Sequence, residues 1–128
     1  MRQRTQIAFA LLVGIVIGAV AVPGFRTQGA GGMAFVVVEM HVTDPAGFTE
    51  YMRREPATLG EFHGRVVARA LHDVREGAPA DGIATIYAFN SVEDANRWYN
   101  SSDYSKLSAL RQQAAKSRVY FLSGVVAQ

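Results

Sequence analysis

Sixteen consecutive residues, Ile7 to Val22 (IAFALLVGIVIGAVAV), carry no charged or polar side chain. Such a run has no polar face to offer water, so it stands apart from any small globular domain, and folding is confined to the residues beyond it. Arg2 and Arg4 precede it without an acid, Pro23-Gly24 ends it, and 25–32 (FRTQGAGG) is small and polar, as a linker is. A basic start, an apolar stretch and small residues beyond describe an export signal. As a helix the run reaches ~24 Å, short of the ~30 Å hydrocarbon core of a bilayer. Two fates fit. Ala19-Val20-Ala21 satisfies the small-x-small rule for cleavage, although it lies inside the run, and an uncleaved anchor over residues 7–22 is the alternative. Gly14 and Gly18 form GxxxG, which can pair helices in lipid but is ordinary in signal segments. Either way, residues 1–32 are an address and a linker. Residues 33–128 are expected to form one exported domain, periplasmic or secreted, tied to a membrane only if the segment is retained.

This division changes the meaning of the charge. Thirteen Lys and Arg against eleven Asp and Glu give the whole chain a net charge of +2. Arg2, Arg4 and Arg26 belong to the first thirty residues, which hold no acid, so the remainder has ten basic and eleven acidic side chains and a net charge of −1. No basic patch is left to neutralise phosphates, so nucleic acid is not an expected partner. Arg53-Arg54, flanked by Glu50 and Glu55, reads as a solvated helix face. With no cysteine, disulfides, thiolate nucleophiles, iron–sulfur clusters and zinc ribbons are excluded.

Within the domain, 34–42 (AFVVVEMHV) is short and valine-rich, as a strand is. Alternation puts Val36, Val38, Met40 and Val42 on one face, and Phe35, Val37, Glu39 and His41 on the other. Asp44-Pro45 is a helix start, with the acid as N-cap and proline at the first helical position. Phe48, Met52, Leu59 and Phe62 continue a helical stripe through His63 to a stop at Gly64, and Pro56 should kink or divide that helix. A second strand is expected over 65–74, with Val67, Arg69 and Leu71 alternating against Val66, Ala68 and Ala70. Residues 76–82 (EGAPADG) have the composition of a hairpin loop, and 83–89 (IATIYAF) is a third strand. Ser91-Val-Glu-Asp94 is a capping box for a helix through Ala95, Trp98 and Tyr99. Residues 100–103 (NSSD) interrupt it, and Ser102 or Asp103 can cap a further helix through Leu107, Leu110 and Ala114. Residues 118–126 (RVYFLSGVV) close the domain as a fourth strand.

The order strand, helix, strand, strand, broken helix, strand, with right-handed crossovers, gives an α+β, ferredoxin-like two-layer sandwich: βαββαβ, antiparallel sheet order 4-1-3-2, helices on one face. The other sheet face is left bare, with Phe35, Val37, Tyr87 or Ile86, and Phe121 or Tyr120 as its candidate residues. An exposed apolar sheet face is usually an interface, so a homodimer through it is expected.

The segment Phe35–Val125 resembles the domain of unknown function family numbered 1330, of the dimeric α+β barrel group. The matching pieces are the apolar strand leading into Val42-Thr43-Asp44-Pro45, the helix with Tyr51 and Pro56, Arg65 and Arg69, and Glu76-Gly77. The best of them is 95–104 (ANRWYNSSDY), similar to the family's aromatic-x-Ser-x-x-Tyr stretch, followed by Leu110-Arg111, Ser117-Arg118 and Gly124-Val125. The resemblance implies the sandwich fold and its dimerisation, and the family brings no settled activity. His63-Gly64 stands where the family usually has Gly-Gly, and Arg69-Ala70-Leu71 where it has Arg-Gly-Gly. If those glycines admit a ligand or a backbone, Ala70 and Leu71 would crowd it.

Glu39 and His41, two apart on one strand, project from the same face with Cα atoms ~6.5–7 Å apart, the spacing of an acid–base pair. The plainer reading is a strand end emerging into solvent, with Glu39 paired to an arginine. Arg69 lies mid-strand among apolar residues; it could hold an anionic ligand or a structural partner such as Glu39 or Glu76. Trp98, Tyr99 and Tyr104 form either a pocket wall or core packing, and Arg111, seven residues beyond Tyr104 on the same helix face, is placed to cap the pocket or to bond the helix break. His41, His63 and His72 fall on three elements without ligand spacing, so no metal site is expected. Residues 29–32 precede a strand instead of forming a phosphate loop, and nothing calls for an organic cofactor. The domain is therefore expected to be an exported homodimer of unknown function that binds a small organic ligand between sheet and helices, at Arg69, Trp98 and Tyr104. The alternative is a cofactor-free oxygenase- or isomerase-type enzyme using Glu39 and His41.

Overall fold

The first strand, β1 (Ala34–Val42), occupies the centre of the domain, because it is apolar on both faces for most of its length. In the computed structural model, which describes residues 32–78 and 82–125, four antiparallel strands stand in the order β2-β3-β1-β4. The remaining strands are β2 (Arg65–Leu71), β3 (Ile83–Phe89) and β4 (Ala115–Ser123). Three helices, α1 (Pro45–Arg54), α2 (Val92–Tyr99) and α3 (Ser102–Ala114), complete the expected βαββαβ sandwich with its second helix broken. The export segment expected at residues 7–22 lies outside the described residues.

The registers assign every strand residue to a face. Val36 pairs with Tyr87 and Phe121, and Val38 with Thr85 and Val119. This row faces the helices, and Val36, Val38 and Tyr87 are fully buried there. Val37 pairs with Ile86 and Tyr120, and Phe35 with Ala88 and Leu122, on the face no helix covers. Ile86 and Tyr120, not Tyr87 and Phe121, therefore belong to the bare face.

Local rules account for most element ends, and the exceptions have visible causes. Asp44 is the N-cap of α1 with Pro45 behind it, although its side chain makes no capping hydrogen bond. Pro56 ends the α-helix: the chain continues as two 3₁₀ turns, Glu55–Thr58 and Gly60–Phe62. Ser91 Oγ accepts from the Asp94 amide at 3.0 Å, as a capping box requires. The cap of α3 is Ser101, one residue before the expected pair, and its Oγ accepts from the Tyr104 amide. Strand β4 starts at Ala115 directly after α3, earlier than expected, because the Ala114 carbonyl that ends the helix accepts from the Thr43 and Asp44 amides at 2.9 and 3.0 Å. Strand β2 stops at Leu71 and carries a register shift between Val66 and Ala68. That bulge turns Val66 to the helix side with Arg69, reversing the face expected for it.

The turn after α1 departs most. The left-handed residue is His63, with φ 56°, not Gly64. Gly64 is needed for a different reason: a Cβ there would collide with the buried Phe89 ring and come within 3.1 Å of Leu59. At exposed Gly60, an added Cβ meets nothing within 4 Å. Gly64→Ala is expected to lose about 1–3 kcal/mol of stability by overpacking, and Gly60→Ala to be neutral or slightly stabilising; urea unfolding of the two variants checks the contrast.

Candidate functional site

All the helices lie on one face of the sheet, so the domain has one buried layer. Polar side chains run through it from one sheet edge to the other. At the β2 edge, Arg69 turns inward, its Nε donating to Thr85 Oγ1 at 3.0 Å and its Nη2 to Glu55 Oε2. Glu55 is fully buried. It stands four residues after Tyr51, so the helical repeat brings the Tyr51 hydroxyl to Glu55 Oε1 at 3.3 Å. That hydroxyl also lies 3.3 Å from the Tyr87 hydroxyl on β3. Glu55 is thus the partner of Arg69, in place of Glu39 or Glu76. It is also not part of a solvated face with Arg53, which pairs instead with Glu50 at 2.7 Å.

Burial pushes the Glu55 carboxyl above its ordinary value, against the opposing pull of Arg69 and Tyr51. The Tyr51 hydroxyl is raised far above its usual range, chiefly by burial and then by Tyr104 and Glu55. Burial also raises Tyr104, while the neighbouring Arg111 charge lowers it.

The other end of the row lies on α3. Tyr104, Leu107, Arg111 and Ala114 are its buried residues, spaced i, i+3, i+7 and i+10 on one stripe. A guanidinium therefore occupies a position where a leucine would be ordinary. Arg111 Nη1 donates to Ser117 Oγ on β4. Among the described residues its buried Nε has no hydrogen-bond acceptor, while the Tyr104 hydroxyl lies between the guanidinium and the Tyr51 hydroxyl. Beside them a cleft of about 590 Å³ opens at the β4 edge, lined by Tyr99, Arg111, Gln112, Ala115, Ser117 and Val119, with Lys116 at its rim.

The residues singled out from sequence separate onto two faces. Arg69, Trp98 and Tyr104 share the helix-covered layer. Trp98 is fully buried, with its ring centroid 3.9 Å from Tyr104, 5.0 Å from Tyr87 and 5.2 Å from Phe89, and its indole N–H donates to Thr58 Oγ1 at 3.0 Å. It is the hub of the core and forms no wall of the cleft. Glu39 and His41 lie on the opposite, bare face. Glu39 accepts from Arg118 Nε at 2.6 Å, which holds its carboxyl below the ordinary range, and His41 is exposed near the end of the strand. Ala70 and Leu71 are exposed on the edge strand, and Leu71 crowds nothing in this protomer. Among the described residues, no three His, Cys, Asp or Glu side chains gather as a metal site would require, and no helix is long and apolar enough to cross a membrane.

A two-layer α+β sandwich of ferredoxin-like topology, with a polar row through its one buried layer, is the class of protein these features define. The chain belongs to the family described as Domain of unknown function (DUF1330), which matches residues 33–125. Comparison with curated proteins returns no match. Among solved structures it is similar to a protein of unknown function from Rhodopseudomonas palustris, at 18% identity and TM-score 0.59, over 76% of this chain and 85% of that one. It is also similar to a dimeric ferredoxin-like protein of unknown function from a Jannaschia species, at 11% identity and TM-score 0.57, over 71% of this chain and 98% of that one. A third is SnoaB, a cofactor-independent oxygenase from Streptomyces nogalater, at 16% identity and TM-score 0.52, over 77% of this chain and 97% of that one. At these identities the likeness is one of fold.

Glu55→Gln is expected to cost about 1–3 kcal/mol, less than the loss of a fully buried ion pair because Arg69 keeps 27% of its side chain in water. The pH dependence has a definite sign. With its folded value raised, Glu55 contributes stability that is full at acid pH and lost as pH rises through that value. The advantage of the wild type over Glu55→Gln should therefore shrink as pH climbs above the ordinary carboxyl range, in urea melts at a series of pH values.

Proposed function

We propose that the exported domain is a homodimeric small-molecule-binding protein. Two copies pair through the bare faces of their sheets to form an α+β barrel, and each holds a small organic ligand between sheet and helices. The observation that carries the ligand reading is the polar row in the buried layer, which ends in Arg111, whose buried Nε has no acceptor among the described residues. Buried polar groups are ordinarily paired, and a ligand is one way to pair them. Tyr104 belongs to the binding site in this reading, Trp98 supports it from behind, and Arg69 fixes the far end of the row through Glu55.

The dimer reading rests on the bare face. Phe35, Val37, Ile86, Tyr120 and Leu122 form one apolar strip across β3, β1 and β4, and Leu122 is half exposed. A strip of that kind is worth covering, and the Jannaschia neighbour is described as dimeric. Export rests on Arg2, Arg4 and the apolar run, and retention of that run would hold the dimer at a membrane surface. A cofactor-free oxygenase or isomerase, the description that SnoaB carries in part, needs an acid–base group against its substrate. Glu39 and His41 face away from the buried layer and Glu55 is engaged by Arg69, so binding is the better reading.

Residues 32–128 are expected to be dimeric at micromolar concentration by size exclusion with light scattering. Leu122→Lys should weaken the dimer, and Val37→Lys, at the middle of the strip, should weaken it by about a hundredfold or more, since a desolvated unpaired charge costs several kcal/mol. A wild-type monomer in that range would remove the dimer from the proposal.

A further inference from the structure

The geometry points to Arg111 as the receptor for an organic carboxylate, with Tyr104 as a second donor and the cleft at the β4 edge housing the body of the ligand. This inference rests on the small-molecule-binding reading above and names the chemical class of its ligand. Arg111 is only 2% exposed, yet among the described residues no carboxylate lies within ion-pair distance of it. Its polar neighbours are neutral hydroxyls, those of Ser117 and Tyr104, and among the described residues its Nε–H has no acceptor. A buried guanidinium is costly unless an anion compensates it. The opposite end of the row shows the usual solution, since Arg69 has Glu55. Glu55 is already engaged by Arg69, which keeps 27% of its side chain in water, so the buried layer has no carboxylate for Arg111.

The missing acceptor has a shape. A guanidinium presents parallel N–H groups that match the two oxygens of a carboxylate. The Tyr104 hydroxyl, on the same buried stripe of α3, lies behind the cleft lining and beside the guanidinium, from where it can turn to donate to the same group. Tyr99, Ala115 and Val119 give the cleft an aromatic and aliphatic side, which suits an organic body better than an inorganic ion. Trp98, with its centroid 3.9 Å from that of Tyr104, is the only tryptophan of the chain, so its emission reports on this end of the layer.

The test is calorimetric and fluorescence titration of the full-length chain with benzoate, with benzyl alcohol as the uncharged counterpart and inorganic phosphate as the bare anion. Saturable benzoate binding that shifts Trp98 emission is expected, weakened about tenfold or more by Arg111→Lys, which keeps the charge and loses the fork, and about threefold or more by Tyr104→Phe. Tyr104→Phe removes one hydroxyl and leaves the ring in the core, so it decides the matter should Arg111→Lys unfold. Benzyl alcohol binding as tightly as benzoate would overturn the carboxylate receptor while leaving the small-molecule reading intact. Phosphate binding as tightly as benzoate overturns the organic ligand, unchanged affinity in both variants overturns the assignment of these residues, and no binding of any probe overturns both readings together.

Discussion

Trp98 holds the buried layer together. Its ring meets Tyr104 of α3 and both Tyr87 and Phe89 of β3, and its N–H is satisfied by Thr58 in the first 3₁₀ turn. One side chain thus ties the two helices of the broken pair to the sheet and to the end of α1. A sandwich with a single covered face has only one layer in which to bury large rings, and tilted pairs at these separations add to what area burial alone supplies. The break between α2 and α3 follows from the same contact. Trp98 in the last turn of α2 and Tyr104 in the first turn of α3 can meet only if the chain turns between them, and Ser101 makes that turn by accepting from Tyr104 and donating to the Trp98 carbonyl.

Two polar residues violate the apolar pattern of the helices that carry them, and they do so differently. Glu55 falls on the stripe of α1, at the point where Pro56 forces 3₁₀ geometry, and it has Arg69 and Tyr51 to satisfy it. That pair resembles a structural ion pair: it fastens the edge strand β2, all seven residues of which are otherwise exposed, to the helix layer. Arg111 falls on the stripe of α3 and has a hydroxyl where Arg69 has a carboxylate. Arg111 is almost wholly desolvated while Arg69 keeps part of its side chain in water, so the cost falls more heavily on the arginine that lacks a carboxylate.

Much of the fold is legible in the sequence because its central elements obey local rules. Strands β1 and β3 begin and end where composition places them, Asp44-Pro45 starts α1, Pro56 ends it, and the element order with right-handed crossovers leaves one sheet order. The illegible parts lie at edges and at exceptions. The bulge at Val66–Ala68 reverses the face of Val66, and no residue there announces it, since neither glycine nor proline is present. His63 takes the left-handed conformation because Gly64 is already committed to close packing against Phe89. That explains in part why two glycines in succession are usual here. Glu55 reads as solvated because Arg53 and Arg54 precede it, while its spacing from Tyr51 and Leu59 carries the opposite message. In the site, Arg69, Trp98 and Tyr104 stand out from sequence, and Arg111 does so as a cap for the pocket or a partner for the helix break. Its burial is visible in sequence once the α3 stripe is anchored at Tyr104.

The two faces of the sheet divide the chemistry between them. Ions on the bare face sit in water or on its rim: Glu39 has Arg118, and an exposed pair of this kind contributes little to stability. In the proposed dimer they can set the register of the two sheets, because misplaced like charges repel. On the covered face, burial makes every charge expensive and therefore informative. A chain of this size turns two arginines into its covered layer only if something answers them. For Arg69 the answer is Glu55, just beyond the end of α1; for Arg111 the described residues offer neutral hydroxyls and an open cleft, and the proposed carboxylate ligand is the answer.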